Sequence, residues 1–249
     1  MRSDAERRLS DPGLLREQYA DSSRLRTRVD TWRRYGTNPQ SFPAWALDQL
    51  DPPAGCDLLD AGCGYGNVYH ELLAVRGVCP IGLDLSPGML REAAGGCRAV
   101  LGDVAALPFT EAAFDRVMCN HVLYHVADRA AAMRELKRVT RPGGRLILST
   151  NSERYLPELN ELTGRPRRRL PFRLEDVEEV RAVFPNVEVR EYQNEVVFED
   201  VQAVMDLAVT SVTDAHVLRR IREGVQAIID RDGRCRSSAP AGCFVVHAR

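Results

Sequence analysis

The 249-residue sequence predicts an α/β fold, a doubly wound and mostly parallel sheet. Three observations predict it. Five short apolar runs follow one another between residues 56 and 150, and three of the four links joining them have helical patterning. That alternation implies right-handed strand–helix–strand crossovers and a sheet covered on both faces. Acidic residues close successive runs, at the carboxyl ends of strands where such sheets bind ligands.

Residues 1–35 are polar and helix-compatible, with Leu14, Leu15, Tyr19, Leu25, Val29, Trp32 and Tyr35 at roughly helical spacing. Gly36-Thr37-Asn38-Pro39 breaks that pattern. Ser41 is placed to cap a short helix through Trp45, Ala46 and Leu50. Cys56–Ala61 is an apolar run ending at Gly62 and reads as a buried strand, followed by a helix over Asn67–Val75. Val78–Leu85 is the second strand, and Pro87–Ala94 a helix with proline at an early position. Arg98–Gly102 and Phe114–Cys119 are the third and fourth strands, with no clear helix across residues 103–113. Ala130–Thr140 is a helix that stops at Pro142-Gly143-Gly144, and Arg145–Thr150 is the fifth strand.

The remainder is less regular. Arg165–Arg169 is a basic run that reads as a solvated loop. Leu174–Val183 is helical, residues 187–189 and 195–198 are short strand candidates, residues 201–231 form two helices, and residues 243–248 form a last apolar strand. The whole chain reads as one domain, with a helical N-terminal cover (1–52), a binding core (53–150) and a C-terminal half (151–249) supplying acceptor-pocket walls.

Composition narrows the function classes. Hydrophobic residues are 44%, charged residues 28% and the net charge is -1, so neither nucleic acid nor an anionic membrane is the expected partner. A small-molecule substrate is, and the chain is expected to work as a monomer or homodimer. Seven scattered cysteines without a C-x-x-C pair, and a charged opening, predict reduced thiols in a cytoplasmic protein.

The chemistry sits at the strand ends. Asp60-Ala61-Gly62-Cys63-Gly64-Tyr65-Gly66 follows a strand and opens a helix. Its glycines let the backbone turn sharply and approach a ligand, and the helix start offers free N–H groups. The spacing is G-x-G-x-G, where dinucleotide sites more often show G-x-G-x-x-G. Asp84 ends the second strand, about 20 residues on, placed to accept ribose hydroxyls. Asp103 follows the third strand, where a carboxylate can accept from an adenine amine. Any one of these acids alone is a common turn residue. Their order on three successive strands is not.

Residues 56–150 resemble the S-adenosylmethionine (SAM)-binding core of the class I SAM-dependent methyltransferases, through LLDAGCGYGNV, GLDLSPGML, GDVAALPF, FDRVMCNHVLYHV and VTRPGGRLILST. The resemblance implies a Rossmann-like seven-stranded sheet and SAM as cofactor, with S-adenosylhomocysteine as product. It implies that Gly62, Cys63 and Gly64 line the methionine and ribose moieties, that Asp60 orients the methionine amino group, and that Asp84 holds the ribose. Leu85 and Met89 would sandwich adenine, Asp103 and Val104 would read its edge, and Asn120 and His121 would face the methyl end. The H-x-L-Y-H-V element at 121–126 is similar to a subgroup acting on small molecules.

Methyl transfer from a sulfonium needs alignment and water exclusion more than a base. Where a base is needed, His121 and His125 are the candidates, at i, i+4 spacing that would put both on one helix face, with Tyr124 a further donor. Tyr35 is placed either to reach the cofactor's carboxylate or to pack a structural helix among the aromatics of the N-terminal segment. No metal is expected, because two histidines without a carboxylate or cysteine set make no site. Three rival readings stand beside the transferase. One is a SAM-fold enzyme of cyclisation or decarboxylation; one is a regulatory protein that binds SAM without turnover. The third is a nicotinamide oxidoreductase, which the glycine spacing and Asp103 disfavour.

Overall fold

The computed structural model describes Tyr19 and residues 21–93, 95–164 and 170–248. Leu14, Leu15 and the basic run Arg165–Arg169 lie outside the described residues.

Among the described residues two helices, α1 (Ser23–Tyr35) and α2 (Phe42–Leu50), precede the sheet. The predicted cap of α2 is present, with Ala44 N–H donating to Ser41 Oγ. Then β1 (Leu58–Ala61), α3 (Asn67–Val75), β2 (Ile81–Asp84), α4 (Pro87–Ala93), β3 (Arg98–Leu101) and β4 (Phe114–Asn120) follow, with no helix between β3 and β4. A short 3-10 turn (Leu123–His125), α5 (Arg129–Val139) and β5 (Thr140–Asn151) complete the crossovers. The C-terminal half holds α6 (Pro157–Leu162), α7 (Val177–Arg181), β6 (Glu188–Tyr192), β7 (Glu195–Phe198), α8 (Val201–Ala208), α9 (Ala215–Asp232), β8 (Cys235–Ser238) and β9 (Ala241–His247).

The main sheet has seven strands in the order β3-β2-β1-β4-β5-β9-β6. Strands β1 to β5 run parallel to one another, and β9 runs antiparallel to β5 and β6. The predicted Rossmann-like, mostly parallel sheet is thus observed. Alternation along the central strands covers both faces. Val117, Cys119, Leu146 and Leu148 pack with α5 and Phe244 on one side. Met118 and Ile147 pack with α2, α3 and Val245 on the other.

Three expectations need correction. First, β5 begins at Thr140 and not Arg145. The Pro142-Gly143-Gly144 turn is absorbed as an irregularity, with a register shift opposite Phe114 and Arg116, and Gly143 at φ 77°. Second, the sequence reading missed β8, which pairs with the expected strand at 195–198 in a separate two-stranded ribbon. The Cys-Arg-Ser-Ser of β8 hides its buried face behind Cys235 and Ser237 and carries little apolar signal. Third, helix Leu174–Val183 is reduced to Val177–Arg181, because Arg173 and Asp176 bond each other in a turn ahead of it.

The β7–β8 ribbon, α8 and α9 form their own apolar cluster, and Trp32 and Tyr35 of α1 pack into it. This ties the N-terminal helix to the C-terminal elements over the strand ends.

Candidate functional site

The parallel register sets the strand ends side by side. Ala61 pairs with Leu83, Asp84 with Leu101 and Asn120 with Ser149. A cavity of about 2070 Å3 opens along this edge, lined among others by Asp60, Gly62, Cys63, Gly64, Asp84, Leu85, Met89, Asp103, Val104, Asn120, His121, Tyr124 and His125. The residues singled out at the strand ends therefore share one cavity, as the sequence order predicts. Tyr35 is the exception: its ring packs on Phe198 at 5.0 Å within the C-terminal cluster.

The glycine turn is clamped to β2. Gly62 and Cys63 N–H both donate to Leu83 O, at 2.6 and 2.9 Å. Gly64 N–H donates to Asp84 Oδ2 at 2.8 Å, and Ser86 N–H donates to Oδ1 at 2.8 Å. Gly62 adopts φ 82°, and a Cβ there would lie 2.2 Å from Val122 Cγ2. Only glycine fits. Cys63 lines the cavity, but its thiol turns toward the back of the loop: a Cβ on Gly82 would meet both Cys63 Sγ and Cys97 Sγ within 3 Å.

Charge is arranged unevenly. Asp60 is buried and accepts from His70 Nε2–H at 2.9 Å. Burial opposes charge on both, and is the largest single influence on His70, yet Asp60 and Cys97 together outweigh it and lift the imidazole to about 9. Burial also pushes the Asp84 carboxyl up, against the N–H bonds from Ser86 and Gly64. One oxygen of Asp103 accepts from Ala105 N–H, and the other has no partner among the described residues. Asn120 Oδ1 accepts from Ser149 Oγ at 2.6 Å, while its buried Nδ2 donates to nothing among the described residues.

The two histidines do not share a helix face. His121 takes a left-handed φ of 58°, its N–H bonding Ser149 O, and His125 closes the 3-10 turn. The turn still gathers the rings: Tyr124 lies 4.5 Å from His125 and 6.4 Å from His121. Burial, then His125, hold the His121 imidazole down to about 4. Burial raises the Tyr124 phenol well above its ordinary value.

The N-terminal segment closes over this edge. Tyr19 O accepts from Ser86 Oγ, and Tyr19 Oη bonds His125 Nε2 at 2.9 Å. Ser22 and Arg26 both bond Glu92, and Arg26 stacks over the Tyr65 ring at 4.4 Å. Arg28, Tyr155 and Thr210 also line the cavity, and sequence reasoning missed all three. They carry no motif and meet only through the tertiary fold. Among the described residues no group of three His, Cys, Asp or Glu is placed to hold a metal, the cysteines are free thiols, and no helix is long and apolar enough to cross a membrane.

Comparison with known proteins gives the site its family. Residues 59–148 match a family described as "Methyltransferase domain". The malonyl-[acyl-carrier protein] O-methyltransferase of Serratia marcescens is 32% identical over 187 residues, covering 72% of this chain and 67% of that protein. The enzyme of the same name from Herminiimonas arsenicoxydans is 42% identical over 144 residues, covering 53% of each chain. Among solved structures, the [4+2]-cyclase SpnF aligns at TM-score 0.63 and 17% identity, over 95% of this chain and 96% of its own. The Haemonchus contortus phosphoethanolamine N-methyltransferase 2, solved with S-adenosylhomocysteine, aligns at TM-score 0.61 and 17% identity, over 96% of this chain and 59% of its own. The structural likenesses carry the fold, and the sequence relationship to the Serratia enzyme carries the family. The chain belongs to the class I SAM-dependent methyltransferases, and SAM is its cofactor.

Proposed function

We propose that this methyltransferase acts on a small molecule, a specialised metabolite, held between the strand ends and the C-terminal helices of a single domain. The observation that carries the reading is the continuity of the cavity. The same cavity is lined by Asp60, Asp84 and Asp103 and by Tyr19, Trp32, Tyr124, Tyr155, Leu207 and Val212. Aromatic and apolar walls with a few convergent polar groups suit a small organic acceptor.

The residues present fit the cofactor. Asn120 Nδ2 is a buried donor left open, and a buried donor without a partner costs about 1–3 kcal/mol unless a ligand accepts from it. Asp84 and the open oxygen of Asp103 are acceptors for ribose hydroxyls and an exocyclic amine; Leu85, Met89 and Val104 supply apolar walls for a base. Asp60 has one oxygen committed to His70, so the other serves an ammonium group. When bound, SAM supplies an activated methyl on a sulfonium. The chain's task is to align the acceptor and keep water out, and α1 and Tyr19 close that edge.

Magnitude decides the role of His121. An imidazole held to about 4 is neutral at pH 7 but a weak base, far from the matched value that makes general-base catalysis efficient. His121 therefore orients the acceptor by accepting a hydrogen bond, and Tyr124, kept protonated, donates one. His125, bonded to Tyr19, is the remaining base.

A carrier-borne malonyl group is the rival acceptor, on the printed name of the Serratia relative. The test is methyl-labelled SAM incubated with the full chain and either small-molecule extracts or malonyl-acyl carrier protein. Label in a small product supports the reading. Label only on the carrier overturns it in favour of the rival, and substrate conversion without label moves the protein to the non-methylating class.

A further inference from the structure

We propose that Arg28 anchors a carboxylate of the acceptor and so fixes which end of that molecule meets the methyl donor. The inference rests on the transferase reading above and names its substrate class.

Arg28 lies on α1 and lines the cavity with Trp32, Tyr124, Tyr155 and Thr210. Its guanidinium is held in place: Nε donates to Thr210 Oγ1 at 3.2 Å and Nη2 to Thr210 O at 3.3 Å. Thr210 is buried and fixed in turn, its hydroxyl donating to Leu207 O at 2.7 Å. A guanidinium has five N–H donors, and these two contacts, both to neutral oxygens, leave most of the fork open. Other arginines of the fold are neutralised. Arg26 pairs with Glu92, Arg129 with Glu179, Arg138 with Glu135 and Arg173 with Asp176 and Glu153. Among the described residues no carboxylate pairs with Arg28.

A half-buried cation without a counter-charge is unfavourable, and a planar fork facing a cavity matches a carboxylate in two-point geometry. Two phenols complete the receptor. The Tyr124 and Tyr155 hydroxyls carry no hydrogen bond among the described residues. Burial keeps both protonated and hence donors, while the Arg28 charge acts on both in the opposite sense, which sets all three groups within electrostatic reach. Trp32 and Tyr155, with ring centroids 5.5 Å apart, provide a wall for an aromatic or acyl body.

A carboxylate gripped by a guanidinium is a poorer nucleophile. Arg28 thus orients the acceptor, and the attacking O, N or C atom belongs to another part of the same molecule.

The test uses the full chain saturated with S-adenosylhomocysteine, titrated with benzoate and with its uncharged analogue benzamide, and read by tryptophan fluorescence in a Trp45→Phe background, where Trp32 in the cavity wall is the fluorophore that remains. Benzoate is expected to bind about ten-fold more tightly, as a charge-assisted pair should. Arg28→Gln should abolish the preference and leave S-adenosylhomocysteine affinity within about two-fold. Tyr155→Phe, which keeps the ring, should lose part of it. Equal binding of the two probes, no binding of benzoate, or an unchanged preference in Arg28→Gln overturns the proposal. If Arg28→Gln does not fold, Tyr155→Phe and Arg28→Lys decide: an unchanged preference in both overturns it. The labelled-methyl assay fails separately, because a benzoate preference without label transfer sinks the transferase reading and leaves the anchor standing.

Discussion

Gly64 N–H donates to Asp84 Oδ2 at 2.8 Å, so the glycine turn after β1 is bonded to the acid that ends β2. The contact joins two features of the cofactor site that stand 20 residues apart in sequence. It also means that Asp84 has two tasks, since Ser86 N–H occupies its other oxygen. Asp84→Asn replaces one acceptor with an NH2 group facing a backbone N–H. We expect S-adenosylhomocysteine to bind at least about ten-fold more weakly by calorimetry, with a lowered melting temperature, because a half-buried N–H loses its acceptor. An unchanged affinity would remove Asp84 from the cofactor site.

Gly62 and Val122 form a second link, from the glycine turn to the segment after β4. Gly62→Ala adds a methyl 2.2 Å from Val122 Cγ2 at φ 82°. Left-handed strain of about 1–2 kcal/mol and overpacking of about 1–3 kcal/mol both act. Val122→Ala relieves the second and not the first. Urea unfolding should find the double variant less destabilised than the sum of the two single ones. Simple additivity would mean that the two residues do not touch.

The parts of the site that could be read from sequence are those carried by local backbone logic. Buried parallel strands read as continuous apolar runs, so β1, β2 and β4 stand out without tertiary information, as do Asp60 and Asp84, while the exposed edge strand β3 is marked by its short apolar run and by Asp103 after it. The roof could not be read that way. β8 is polar on its face and recognisable only once β7 is beside it. Tyr35 sits at helical spacing with Trp32, yet on α1 it turns to Phe198 while Arg28 lines the cavity. Arg28, Tyr155 and Thr210 come from three distant segments, and no spacing rule joins them. The i, i+4 reading of His121 and His125 failed because His121 is left-handed, which no periodicity announces for a non-glycine residue.

The Asp60–His70 pair makes stability depend on pH. His70 stands raised to about 9 from 6.5. A raised folded value contributes stability that is complete below the unfolded value and lost as pH climbs through the folded one. The window is therefore roughly pH 6.5 to 9, with roughly 3 kcal/mol as its upper bound. Burial raises Asp60 too, so its own contribution also falls as pH rises. Urea unfolding at about pH 6 and about pH 9.5 should show a loss for the native chain that His70→Gln largely lacks. Equal losses in both proteins would assign the titration elsewhere.

His121 gives the opposite sign and the sharper test of mechanism. Its folded value, held to about 4 by burial and His125, lies below the unfolded one. It contributes stability at pH above about 6.5, lost as pH falls through 4. Above about pH 5 the ring stays neutral, so it cannot be the source of any inflection in kcat near neutrality. His121→Ala should lower kcat by about ten-fold or more through lost acceptor alignment, without weakening S-adenosylhomocysteine. It should also leave the shape of the kcat–pH profile between about pH 6 and 9 as in the native enzyme. An inflection near neutrality that disappears in His121→Ala would make His121 the general base after all. Unchanged turnover would remove it from the mechanism and leave alignment to Tyr124, His125 and the walls of the chamber.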